Sequence, residues 1–304
     1  MLIPTAIRSL LAICISLSVV RCHADIIVNS YTDATNDRFS NQPAFIMSGF
    51  DLSGIGQNGG GLWATAVSNN VVVSANHFAP SGTVYFFPGN NPGIAPIVRQ
   101  IIPGSGQKIG ATDIWLGVLD QPLPSTINHY AIANQFLVGM PPMGSMISIE
   151  AAGSYQGLNA YMFGRSPFDE NNPLDNRFAY NDQAVGRNRI TGYVENIPFS
   201  DSDNDSLIFN RDFSGVDFVT YETFLQGGDS GGPAFVDVDG QLVLLGTNAF
   251  VFDDNSASGI NYLGNQGSTI QNFIQANAVP EPSACVLLAL SGAVMAMRSR
   301  RNRR

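Results

Sequence analysis

One serine sits in a setting suited to nucleophilic chemistry, and no histidine follows it in the chain. The stretch is Gln226-Gly227-Gly228-Asp229-Ser230-Gly231-Gly232-Pro233. A serine hydroxyl is a weak nucleophile until a base stands beside it and backbone N–H groups face the developing oxyanion. Glycine loses the most entropy on folding, so a glycine cluster is wasteful in a strand or helix and suits a sharp turn close to a substrate. A plain hairpin turn with an incidental serine would use the same residues. Chain order narrows the choice. After the first residues the only histidines are His77 and His129, and both precede Ser230. Gly228-Asp229-Ser230-Gly231-Gly232 also fits G-x-S-x-G, but that elbow needs its acid and then its histidine after the serine. The order histidine, acid, serine can be built.

Strand-like runs between turn residues recur along the body, which predicts an all-β fold. Two hairpins stand out: Leu62–Val67 with Val71–Ser74 around Ser68-Asn69-Asn70, and Pro233–Val238 with Gln241–Phe250 around Asp239-Gly240. Further strands are predicted at Asp25–Val28, Thr83–Phe87, Ile97–Ile102, Thr112–Val118, Met146–Ala152, Leu158–Phe163, Gly192–Asn196, Leu207–Asn210 and Val216–Thr220. Ser30–Pro43 reads as an extended polar leader, and Ser166–Arg189 as a long loop. Ser268 is placed to cap a short helix with Ile270, Phe273 and Ile274 on one face. A proline-rich stretch at Gln121–Ser125 divides the pattern into two halves of six strands, with a cleft where they meet.

The formal charge is −9, and five of the fifteen basic residues lie in the last seven positions (Arg298, Arg300, Arg301, Arg303, Arg304). The body between the ends is therefore acidic, which argues against nucleic acid as a partner. Residues 1–24 have the pattern of a secretory signal: Arg8, an apolar run from Leu10 to Val20, and a small residue at Ala24. Cys14, Cys22 and Cys285 all fall in the terminal segments, so the body has no cysteine chemistry and its core alone must hold it. At the other end, Val279-Pro280-Glu281-Pro282-Ser283 precedes an apolar run, Ala284–Met297, and the arginines. This resembles the PEP-CTERM sorting signal of Gram-negative bacteria, over residues 278–304. The resemblance implies transient membrane insertion, an exosortase-type partner and a final place at the cell surface or in the extracellular matrix. A retained membrane anchor would use the same residues.

Three separated stretches resemble the trypsin/chymotrypsin-like serine proteases. Gly61-Leu62 to Val73-Ser74-Ala75-Asn76-His77 is similar to the family's histidine hairpin, Thr112-Asp113-Ile114-Trp115-Leu116 to its acid strand, and Gly228-Asp229-Ser230-Gly231-Gly232-Pro233 to its nucleophile motif. The resemblance spans residues 59–277, with 25–58 as leader and first strand. It implies two six-stranded antiparallel barrels with a short C-terminal helix, hydrolysis of protein or peptide substrates, and no cofactor. Ser230 would attack, His77 would carry the proton, Asp113 would orient the imidazole, and the Gly228 and Ser230 N–H groups would form the oxyanion hole. His129 is the one substitute base and Asp120 the substitute acid. Asp229 would correspond to the residue that pairs with a freshly cut N-terminus, although the family's usual start is absent here.

Phe224, six residues before Ser230, replaces the carboxylate that selects basic side chains in some members, so Phe224 and Phe250 are candidates for an apolar substrate pocket. Asp201-Ser202-Asp203-Asn204-Asp205 has the alternating acids of a calcium loop, but Ser206 stands where such a loop needs glycine. A solvated acidic loop is the simpler reading. Two functions follow as expectations: an exported serine endopeptidase, or an inactive protease-like domain that binds at a surface or in a matrix.

Overall fold

A computed structural model describes residues 25–134, 155, 157–167 and 180–279. The predicted signal segment, the strand at Met146–Ala152, the sorting segment from Pro280 onward and all three cysteines lie outside the described residues.

The described chain is all-β, with two large sheets, one two-stranded sheet and one longer helix. A short strand β1 (Ile27–Val28) precedes helix α1 (Asp33–Asn36). The first sheet holds β2 (Ile55–Asn58), β3 (Trp63–Ala66), β4 (Val71–Ala75), β5 (Thr83–Phe86), β6 (Ile97–Gln100), β7 (Gln107–Lys108) and β8 (Ile114–Val118). Its order is β6-β5-β2-β3-β4-β8-β7, antiparallel throughout. A bridge between Ile101 and Leu119 joins the end of β6 to the end of β8 and closes the sheet on itself. The closure removes the exposed edges that an open sheet would present.

The second sheet holds β9 (Ala131–Ile132), β10 (Asn159–Gly164), β11 (Ala184–Arg189), β12 (Gly192–Phe199) and β13 (Ser202–Asn210). After β14 (Thr223–Phe224), which pairs with β1, come β15 (Pro233–Val238), β16 (Gln241–Val251) and β17 (Ala257–Tyr262). The order is β11-β10-β15-β16-β17-β13-β12, with β9 added beside β16. Its two ends are consecutive in the chain, because β11 runs into β12 across Ile190-Thr191, so this sheet also closes. Counting β11–β12 as one bent strand and setting aside the two-residue strands β7 and β9, each barrel has the six strands expected.

Side-chain alternation explains how the barrels pack. Along β4, Val72 faces the first barrel's interior with Val84, Phe86 and Trp115, while Val71 and Val73 face the other way. Those two join a cluster that includes Phe163, Phe235 and Leu244 of the second barrel, so one strand serves an interior and an interface with its two faces. Helix α2 (Gly267–Ala276) lies over that interface, with Ile270 buried and Phe273 and Ile274 packed beside it.

Several expectations change. The leader is compact: Thr32 caps α1, and Asn36, Arg38 and Phe39 are buried. The first barrel strand begins at Ile55, inside the stretch expected to precede the barrel. Ser166–Arg189 contains β11, whose partner β10 is set by six residue pairs. Val216–Thr220 is not a strand, and β17 was not foreseen. Ser268 lies inside α2; the N-cap is Gln266, with no side-chain capping bond.

Candidate active site

The antiparallel pairing of β4 with β8 places Ala75 opposite Ile114, so the residues just beyond each strand end meet. Asn76 N–H donates to the Asp113 carbonyl at 2.7 Å, and His77 follows in a single 3-10 turn. The Asp113 carboxylate is fully buried. Its Oδ1 accepts the His77 backbone N–H at 2.7 Å, and its Oδ2 lies 2.6 Å from His77 Nδ1. That bond assigns the Nδ1 proton and leaves Nε2 as the acceptor. Nε2 lies 2.9 Å from Ser230 Oγ, which comes from the loop before β15 in the other barrel. A hydrogen-bonded chain thus runs from a buried carboxylate through an imidazole to a hydroxyl. Such a chain can take the hydroxyl proton as the oxygen attacks an electrophile.

Two glycines hold the hydroxyl in place. Asp229 N–H donates to the Gln226 carbonyl at 3.1 Å, closing a turn whose third residue, Gly228, has φ +108°. Only glycine takes that conformation without strain. No intramolecular acceptor faces the N–H groups of Gly228 or Ser230 among the described residues, so both remain available to a ligand oxygen. Gly231, at φ +83°, is pressed against β4: a Cβ there would lie 2.4 Å from Ser74 Oγ. A side chain at 231 would therefore push Ser230 away from His77.

A cavity of about 370 Å³ opens beside Ser230. One wall is Leu225–Gly228, the other Asn248–Val251, and His77, Phe78 and Phe199 line its mouth. Phe199 stands edge-on to His77, with ring centroids 5.0 Å apart, and lies 5.9 Å from the Phe250 ring. Phe250 lines the cavity. Phe224 does not: as part of β14 it pairs with Ile27, and its ring lies under the Arg211 guanidinium at 4.7 Å. Strand pairing with the leader, which sequence position alone did not disclose, turned that residue away.

The remaining candidates separate cleanly. His129 is exposed in the connection between barrels, and no hydrogen bond joins it to Ser230 or Asp113. Asp120 accepts the Gln100 N–H at 2.9 Å and fixes the closure of the first barrel. The acidic run opens a strand: Ser202 and Asn204 point inward, Asp203 is exposed, Asp201 pairs with Lys108 at 2.9 Å, and Asp205 accepts from Asn265 at 2.7 Å. Strand alternation and these bonds spread the carboxylates, and among the described residues no group of three His, Cys, Asp or Glu is placed to hold a metal. Sequence reasoning missed Asn204, Asn261, Asn248 and Phe199, which carry no local signature.

Among the described residues, Asp229 is bound by backbone N–H groups. Its oxygens accept the backbone N–H groups of Arg165 at 3.0 Å and Gln226 at 2.8 Å. Nearby, Ser166 N–H donates to Asp182 at 2.7 Å and Ser166 Oγ to Asp37 at 2.8 Å. Burial pushes Asp229 up to about 8 and Asp182 up to about 6, against backbone bonds that pull each down, and it raises Asp37 as well. These acids hold protons in the folded state at pH values where the unfolded chain has released them. Their contribution to stability is therefore greatest near the unfolded pKa of about 4 and declines as pH rises towards 8. We expect the denaturant midpoint to fall between pH 5 and pH 8, and Asp182→Asn to flatten the part of that slope below about pH 6. A midpoint that rises across this range would contradict the burial of these carboxyls.

No protein-family model and no curated protein matches the sequence. Among solved structures, the chain is similar to a mutant of human heparin binding protein, at 14% identity, with a TM-score of 0.47 over 76% of this chain and 95% of that one. At that distance the likeness assigns neither activity nor residue roles.

Proposed function

We propose that this protein is a serine endopeptidase. The observation that carries the reading is the chain Asp113–His77–Ser230, with spacings of 2.6 and 2.9 Å, beside two unpaired N–H groups at Gly228 and Ser230. Ser230 Oγ attacks the scissile carbonyl while His77 Nε2 takes its proton. Asp113 stabilises the imidazolium that forms, and the Gly228 and Ser230 N–H groups bind the oxyanion. His77 returns the proton to the departing amine, leaving an acyl-enzyme on Ser230. Water, activated by the same imidazole, then releases the acid. The pattern of the two termini supports export and sorting to the surface.

The cavity wall supports a substrate class. Leu225, Phe250, Val251 and Phe199 present apolar surface. The one carboxylate there, Asp229, is fully buried and occupied by two backbone N–H groups. A lysine or arginine side chain would lose its hydration and gain no partner. Peptides with leucine or phenylalanine on the acyl side are expected to be cleaved about a hundredfold faster, in kcat/KM, than those with arginine. A peptide library incubated with the body, alongside Ser230→Ala, tests both claims. Cleavage by Ser230→Ala at a rate near that of wild type would overturn the endopeptidase reading; cleavage after arginine would overturn only the substrate class.

A further inference from the structure

Asp113 belongs to the first barrel, yet much of what holds it comes from the second. Asn261 of β17 donates through Nδ2 to Asp113 Oδ2 at 3.2 Å and to the Asp113 carbonyl at 3.3 Å. Asn204 of β13 accepts the Asp113 N–H through Oδ1 at 2.7 Å. β13 and β17 are paired, with Ser206 opposite Asn261. Asn204 lies two residues from Ser206, so the period of the strand puts Asn204, Ser206 and Asn261 on one face. Thr247 of β16, also opposite Asn261, extends the same face.

This face is polar where an interface between barrels would gain from being apolar. Asn204, Ser206, Thr247 and Asn261 are all at most 1% exposed. Four of their atoms, Asn204 Nδ2, Ser206 Oγ, Thr247 Oγ1 and Asn261 Oδ1, have no hydrogen-bond partner among the described residues. Buried polar atoms without partners weaken a fold, and apolar residues of similar shape would strengthen it. A cost of that kind is tolerated at functional sites. From this patch Asn261 reaches the Asp113 carboxylate and Asn204 the Asp113 backbone.

We infer that Asn261 is a positioning residue for the proposed reaction: it shares the Oδ2 atom of Asp113 with His77 and limits how much negative charge bears on the imidazole. The inference rests on the endopeptidase reading of the site. The carboxylate accepts from His77 N–H, His77 Nδ1–H and Asn261 Nδ2–H and is otherwise enclosed. Removing the Asn261 donor concentrates charge on the side facing His77. The imidazole then stays protonated to a higher pH, so less of the free base is present near neutrality, and the carboxylate, anchored by one donor fewer, orients the ring less well. The other charged groups on neighbouring elements are engaged elsewhere or face solvent. Lys108 of β7 pairs with Asp201, Asp203 is exposed, Asp205 bonds Asn265, and Asp229 of the nucleophile loop is bound by backbone. Asn204 acts differently, because it touches the backbone of residue 113 and not the carboxylate.

The test compares wild type with Asn261→Leu, Asn261→Ser and Asn204→Ala in the exported body. The rate of Ser230 modification by a fluorophosphonate is followed across pH, and the low-field proton resonance of His77 Nδ1 is recorded by NMR. Asn261→Leu should lower the rate about ten- to a hundredfold. It should also move the acidic limb of the profile to higher pH by roughly half a unit or more and shift the resonance further downfield. Asn204→Ala should lower the rate with the limb in place. If Asn261→Leu does not fold, Asn261→Ser carries the same expectations, because its hydroxyl is too short to reach Oδ2. A folded variant at 261 with an unmoved limb, an unmoved resonance and a rate within twofold of wild type would overturn the inference. Absence of labelling in the wild type would instead sink the endopeptidase reading, and the resonance would still report on Asn261.

Discussion

Replacing Ser230 by alanine is expected to lower kcat on an apolar peptide by about a millionfold, and His77→Ala by a similar factor. In the proposed mechanism the two residues act in one proton transfer, the hydroxyl proton moving to Nε2 across the 2.9 Å bond as the oxygen attacks. Removing either therefore removes the same step, and the double variant should be no slower than the singles. Asp113→Asn should cost about ten-thousandfold, because an amide at Oδ2 favours the wrong imidazole tautomer. Some catalysis should persist in every variant through the Gly228 and Ser230 N–H groups, although Ser230→Ala also perturbs the loop that presents them. Steady-state kinetics on a cleaved library peptide measure all four. Additive losses in the double variant would show that His77 and Ser230 do not work as a unit.

The second large effect is on stability. Arg38 is fully buried in the leader, and burial lowers its pKa to about 10. Its guanidinium donates to Ile55 O at 3.2 Å, Gln183 Oε1 at 2.7 Å, Phe87 O at 3.2 Å and Asn90 Oδ1 at 3.1 Å. One side chain thus ties the leader to the first barrel and to the approach to β11. Arg38→Ala leaves those acceptors buried and unpaired and opens a cavity, a loss of about 3–5 kcal/mol. Single domains have about 5–15 kcal/mol in total, so this variant should melt far below wild type. Arg38→Met restores most of the volume and none of the donors. We expect it to remain within about 1–2 kcal/mol of the alanine variant, as read by chemical denaturation. A methionine variant as stable as wild type would show that packing, and not donation, is what Arg38 supplies.

The parts of the site legible in the sequence were those whose chemistry demands neighbours in the chain. The turn around Ser230 needs glycines at 228 and 231 for reasons local to the backbone, and β4 delivers His77 at its own end. Asn204 and Asn261 were invisible because an asparagine in a strand has no spacing that marks it, and its partner lies 91 or 148 residues away. Arg38 was hidden for the same reason: its acceptors are backbone carbonyls and amides scattered from Ile55 to Gln183.

Strands were missed where the local composition opposes them. β17, Ala-Ser-Gly-Ile-Asn-Tyr, has little apolar alternation, yet its Gly259 is required by the Phe250 ring, which a Cβ there would meet at 2.3 Å. β11, Ala-Val-Gly-Arg-Asn-Arg, reads as polar loop, and only its antiparallel pairing with β10 makes it a strand. In both, tertiary pairing overrode propensity. The acidic run at 201–205 misled for the opposite reason. Its alternating acids read as a solvated loop, with a calcium loop as the rival, whereas the alternation is that of a strand with one wet and one buried face.

The central claim is that Ser230 is activated by His77 in the folded body. The most direct measurement is mass spectrometry of that body after exposure to a fluorophosphonate at neutral pH. The account predicts one adduct, on the peptide that contains Ser230, lost on His77→Ala. A folded protein that acquires no adduct there, or acquires it equally without His77, would contradict it.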